Sequence, residues 1–195
     1  MKKALRKTAN IMAGFFTLIV SLFTLTSCQA DDAISRDYRC FFIFDTSLHP
    51  LPCQLTGILG NTGHFCTIEA SHRDGYRQLN TVRNFDGNAE TILITTAKEN
   101  QPGIALGANN RIIVGTSSYD DFVLIAYDGQ CANCLSNFGG TSYPLSWEQG
   151  GQRLHCARCG RSYDVNNGVV AAGDPGRQLL RYKAALDGPV LRVWN

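Results

Sequence analysis

Charge is scarce in this sequence, and histidine scarcer. Asp, Glu, Lys and Arg make up 17% of the 195 residues, and only four are His. Beyond the first seven positions acidic residues outnumber basic ones, 16 to 14, which argues against a basic nucleic-acid-binding domain. No helix-length stretch holds an apolar period of 3.6, so long amphipathic helices are not expected. G-x-S-x-G, H-E-x₂-H, a P-loop and G-x-G-x₂-G are all missing, which removes the hydrolase, zinc-protease and nucleotide-binding signatures. There is no internal repeat and no low-complexity tract after the N-terminus. What is present is apolar: 44% hydrophobic and 10% aromatic residues suffice for a packed core and exclude wholesale disorder. Nineteen glycines point to short strands joined by turns, and the length suggests one domain.

The N-terminus reads as an address. Lys2, Lys3, Arg6 and Lys7 are followed by an uncharged stretch, Ile11 to Thr26, slightly short for a membrane span. It ends in Leu25-Thr26-Ser27-Cys28, which resembles a bacterial lipobox. There the cysteine is lipidated and becomes the new N-terminus, so Cys28 is the expected lipidation site. Residues 1–27 are then a lipoprotein signal peptide and 28–37 a polar, lipidated tether. The expected location is the cell envelope, periplasmic or surface face, with the chain held at a membrane through Cys28. Residues 28–195 hold 14 basic and 16 acidic side chains, so the positive balance belongs to the leader. Export also means that free thiols tend to pair.

From residue 38 the pattern is short strands bounded by turn signals. Tyr38–Phe44 is apolar enough for burial on both faces. Phe65–Ala70, Tyr76–Phe85 and Thr91–Ala97 read as strands broken at Asp74-Gly75 and Asp86-Gly87. Ile104–Leu106 and Ile112–Gly115 flank a tight turn at Asn109-Asn110, and Phe122–Tyr127 is a buried strand. Residues 160–170 read as strand, turn, strand, and a last hairpin turns at Asp187-Gly188. This spacing predicts an antiparallel β-sandwich or barrel.

Two motifs carry chemistry: Cys131-Ala132-Asn133-Cys134 and Cys156-Ala157-Arg158-Cys159, separated by 21 residues. Each C-x₂-C turn can point two sulfurs at one ion, and two such turns make a four-thiolate tetrahedron. Cys131, Cys134, Cys156 and Cys159 are therefore the expected metal ligands. The same set suits zinc, mononuclear iron or a 2Fe-2S cluster, with zinc favoured. Metal-free disulfides are the competing expectation for an exported chain. Cys40, Cys53 and Cys66 remain; Cys40 and Cys66 read as small buried hydrophobes on strands. His64 and Cys66 alternate, but no orienting group or oxyanion loop accompanies them. His49 and His72 fall in loop-like stretches and are expected to be solvated.

The C-terminal half resembles the Rieske domain family. The matching residues are Cys131, Cys156, Gly160, Tyr163, Asp164, Gly168, Gly173, Pro175, Leu179 and Tyr182. The resemblance covers about residues 101–195, with 38–100 as added strands. It implies a mostly β, Rieske-like (ISP-type) antiparallel sandwich or barrel over 38–195. Within it, a small rubredoxin-like metal-binding subdomain is expected at about 129–176, forming a knob at the tip. This chain departs from the family at the ligands. Cys134 comes one residue later than the family's first His, and Cys159 stands in place of its second. The cluster-facing Ser is Arg161, and Asp174 is inserted in the Gly-Pro loop. His155 does not match a family ligand position.

The departures change the electrostatics. Two thiolates and two imidazoles neutralise an oxidised 2Fe-2S core of charge about +2, whereas four thiolates leave about −2. The expected potential falls from about −150 to +300 mV toward about −400 mV, and the titratable ligand is lost. Arg153, His155, Arg158 and Arg161 lie in or beside the second motif and are candidates to offset that charge. No separate catalytic domain fits beside the Rieske-like half. The expected protein is a non-catalytic metal-binding lipoprotein; the alternatives are a low-potential electron carrier and a disulfide-held binding module.

Overall fold

The computed structural model describes residues 34–119 and 123–195. The expected leader (1–27), Cys28, the first part of the tether and Phe122 lie outside the described residues. The rest is mostly strand. In chain order the strands begin with β1 (Cys40–Asp45), β2 (Phe65–Arg73), β3 (Tyr76–Arg83), β4 (Ala89–Ile94), β5 (Ala105–Leu106) and β6 (Arg111–Thr116). Next come β7 (Leu124–Asp128), β8 (Leu145–Glu148), β9 (Arg153–Cys156), β10 (Ser162–Asp164), β11 (Val170–Ala172), β12 (Arg181–Asp187) and β13 (Val190–Trp194).

They form two sheets. The wide one has nine strands in the order β4-β3-β2-β6-β7-β12-β13-β1-β5, and the small one four in the order β11-β10-β9-β8. Every ladder is antiparallel. Ile92 and Ile94 of β4 and Leu106 of β5, from opposite ends of the wide sheet, lie in one apolar core, so the sheet curls around it. A second core lies between the central strands and the small sheet.

Period-two alternation explains how the same strands serve both cores. On β6, Ile112 and Val114 face the first core and Ile113 the second. On β7, Ala126 faces the first, and Ile125 and Tyr127 the second. Burial on both faces is why these segments read as unbroken apolar runs. β1 differs from expectation: it starts at Cys40 and leaves Phe41 36% exposed. The small sheet packs on the central strands and does not reach β1.

The turns follow their residues. Asp74 and Gly75 have φ of 52° and 83° and close the β2–β3 hairpin, and Asn109 and Asn110 both take φ 53°. Two helices had no sequence signal: α1 (Gln54–Ile58) and α2 (Ala132–Phe138) have five and seven residues, too few to display a period. His49 is not solvated: its ring stacks on Phe44 at 4.7 Å, and Nε2 lies 3.2 Å from Glu99 Oε2. His72 is exposed, but on β2 and not in a loop. Among the described residues no helix is long and apolar enough to cross a membrane.

At Gly115 of β6 any Cβ would run into the His64 carbonyl and the Phe65 ring. Gly115→Ala is expected to lower stability by about 1–3 kcal/mol, read as a lower urea midpoint at unchanged slope. Gly57→Ala, which lies in the helix Gln54–Ile58 and whose methyl would meet only Leu51 at 3.5 Å, is expected to keep or slightly raise the midpoint.

Candidate metal centre

The first cysteine pair sits where β7 runs out of the wide sheet. Gly129 is required there, because a Cβ would collide with Arg111. Cys131 then caps α2, its carbonyl accepting the Leu135 N–H at 3.0 Å, and Cys134 falls in the first helical turn. The second pair sits where β9 hands over to β10. The Gly160 N–H reaches back to the Cys156 carbonyl, and the Cys156 N–H to the Arg161 carbonyl, both at 2.9 Å. Gly160 takes φ 71°, which lets the chain fold back on itself.

These turns bring the four sulfurs together within 4.8 Å of one another. Cys131 and Cys159 are 3.7 Å apart, Cys134 and Cys156 3.6 Å. A tetrahedron of sulfurs around an ion at about 2.3 Å has edges of about 3.8 Å, so the spacing fits one four-coordinate ion. The donor set fits as well, since soft thiolates select zinc and iron. All seven cysteines among the described residues are free, so the competing disulfide arrangement is not seen among them. The sulfurs themselves are mostly enclosed. Cys131, Cys134 and Cys156 are buried in the second core against Tyr127, Leu145, Leu154 and Tyr163, and only Cys159 is partly open.

An apolar pocket resists thiolates. Burial, then the neighbouring thiols, push Cys134 up, and burial pushes Cys156 up. At Cys159 burial also works upward, but the Arg161 backbone N–H and guanidinium outweigh it and bring the thiol down to about 7. Arg161 in turn donates to the carbonyls of Asp174 and Pro175 at 2.9 and 3.2 Å. The other expected cations do not gather at the sulfurs. Arg158 lies over the Phe138 ring at 4.9 Å, and Arg153 lines a cleft with Tyr119 and Asp164. His155 Nδ1 meets Ser162 Oγ at 3.2 Å and faces Glu148 at 3.5 Å.

Polar groups invisible in the sequence surround the sulfurs. The Tyr163 hydroxyl is 3.1 Å from Cys131 Sγ, and Asn133 Nδ2 donates to that hydroxyl at 2.8 Å. Behind Cys131, the Gln130 side-chain carbonyl accepts the Tyr143 N–H at 2.6 Å. Further back, the Asp128 carboxylate accepts from the Gln130 N–H at 2.9 Å, the Ala108 N–H at 2.7 Å and the Tyr182 hydroxyl at 2.7 Å. Asp128-Gly129 reads as a turn, and nothing in the sequence marks that carboxylate as fully buried. Tyr163 and Tyr182 are among the residues that carry the Rieske resemblance, but spacing alone gave them no role.

Cys40 and Cys66 are buried in the first core, as expected of inert cysteines, and burial raises both thiols to about 12. His64 precedes β2 and turns its ring onto Phe85 at 4.5 Å, so it forms no alternating pair with Cys66. No family model, no curated protein and no solved structure matches this chain.

Burial raises the Asp128 carboxyl to about 6, outweighing its three donors. A folded value above the unfolded one means that this group's stability contribution is full below about pH 4 and lost as pH rises through 6. The loss is about 3 kcal/mol. Urea unfolding between pH 4 and 7 is expected to show this fall in the wild type relative to Asp128→Asn, which lacks the titration. Parallel pH profiles for the two proteins would contradict it.

Proposed function

We propose that this chain is a bacterial lipoprotein whose Rieske-like domain holds one metal ion, zinc, through Cys131, Cys134, Cys156 and Cys159, without catalysing a reaction by itself. The observation that carries the reading is the mutual approach of four sulfurs within 4.8 Å. A two-iron cluster puts one cysteine pair on each iron and sets the pairs a metal–metal distance further apart. Because all four sulfurs lie within 4.8 Å of one another, no two of them are set apart in that way, which favours a single ion. Three buried ligands and a full thiolate set are the mark of a closed structural site, since a catalytic zinc keeps a position open for water.

The Rieske-like architecture is supported by the antiparallel sheets and by the placement of the matching residues. Tyr163 stands against the first ligand, and Gly173 packs against Gly160 and Arg161. Two observations favour the second reading, a low-potential 2Fe-2S electron carrier: a hydroxyl beside Cys131 and a partly exposed Cys159 suit a centre that exchanges electrons.

Metal analysis with a visible spectrum, on the chain purified without oxygen from its own host, separates the readings. One zinc and no colour is the expected result. Two irons with two labile sulfides would overturn the zinc assignment in favour of the carrier. Cys156→Ser is expected to reduce bound metal severalfold and lower the melting temperature; unchanged values for both would sink any metal reading. Lipid anchoring rests on Leu25-Thr26-Ser27-Cys28. Cys28→Ser is expected to remove the acyl mass from the mature protein and leave the leader uncleaved. A wild-type chain of unmodified mass would refute the anchor.

A further inference from the structure

We propose that Asn133, the third residue of the first cysteine motif, is a positioning residue that aims the Tyr163 hydroxyl proton at the sulfur of Cys131. The proposal rests on the reading of the four cysteines as a metal site.

A carboxamide has two N–H donors and one carbonyl acceptor group. Asn133 is buried and uses all of them. Its Oδ1 accepts the Arg177 backbone N–H at 2.9 Å. Its Nδ2 donates to the Arg177 carbonyl at 2.8 Å and to the Tyr163 hydroxyl oxygen at 2.8 Å. Turning the amide over would set nitrogen against an N–H and oxygen against a carbonyl, so the two Arg177 contacts fix its orientation. Gly176 packs against the same carboxamide, and any Cβ there would strike Oδ1.

The direction of the next bond follows. The Tyr163 oxygen receives a hydrogen from Asn133, so its own proton is free to go elsewhere. Cys131 Sγ lies 3.1 Å from it. The relay therefore runs from the Arg177 backbone through Asn133 and Tyr163 to a ligand sulfur. A donor held on a thiolate stabilises the charged, metal-bound form, and outer partners of this kind are worth about 10–100-fold in metal affinity. The residue type matters as much as the position. Asparagine forces tyrosine to donate outward, whereas aspartate would take the tyrosine's proton for itself.

The test uses the full chain loaded with Co²⁺, whose sulfur-to-metal charge-transfer band reports electron density on the sulfurs. Asn133→Ala and Asn133→Asp are each expected to move the band to longer wavelength, Asp further. Both are expected to weaken metal binding about 10–100-fold. Tyr163→Phe, which keeps the ring in the core, is expected to move the band the same way. Adding Asn133→Ala to Tyr163→Phe is expected to move it no further, which a purely structural role for Asn133 would not produce. An unmoved band in Tyr163→Phe, or equal shifts from Asn133→Ala with and without the hydroxyl, would overturn the proposal. Failure of the wild type to take up cobalt would instead sink the metal site itself.

Discussion

Four sulfur atoms within 4.8 Å of one another, three of them shut away from water, are the constraint around which the C-terminal half is arranged. As thiols they are small hydrophobes and belong in the core that holds them. As thiolates they would repel one another in a medium of low dielectric, where charges interact far more strongly than in water. A cation at their centre would reconcile the two demands. Cys131 and Cys134 hang from the wide sheet through β7, and Cys156 stands on the small sheet at the end of β9. An ion held by all four would rivet the sheets together at the middle of their shared core.

The polar groups behind the sulfurs fix where the cysteines stand. Asp128 gathers an N–H from the Ala108 turn, the N–H of Gln130 and the Tyr182 hydroxyl of β12. That arrangement sets the exit of β7 at the expense of burying a carboxylate, whose charge joins burial in pushing the nearby Cys40 thiol up. In front, Tyr163 and Arg161 approach different sulfurs, and Asn133 and Arg161 both bond to the backbone of residues 174–177. The first motif thus holds this loop through Asn133, and the residue two places after the second motif, Arg161, holds it too.

The strands and hairpins were legible because their signals are local. Alternation, Asp-Gly and Asn-Asn turns, and buried runs such as Ile112–Val114 depend on neighbours in the chain. The errors fell where a distant partner decides. Tyr38–Phe44 looks doubly buried by composition, yet its second face depends on a sheet that stops short of it. His49 looks like a loop residue, yet Glu99 and Phe44 enclose it. The short helices fell below the length at which periodicity shows. How far the sulfurs are enclosed is likewise a matter of distant partners, Tyr127, Leu154 and Tyr163.

The sequence by itself determined which four cysteines could act together, because two C-x₂-C spacings let each turn present two sulfurs whatever surrounds it. It determined the β class through the period of its apolar residues. Only the tertiary structure decided that the four sulfurs are mutual neighbours and unpaired, which of four nearby cations reaches them, and which hydroxyl faces Cys131. Those depend on segments from residue 106 to residue 182 folding against one another. Hydrogen-bond geometry between such segments leaves no trace in local composition.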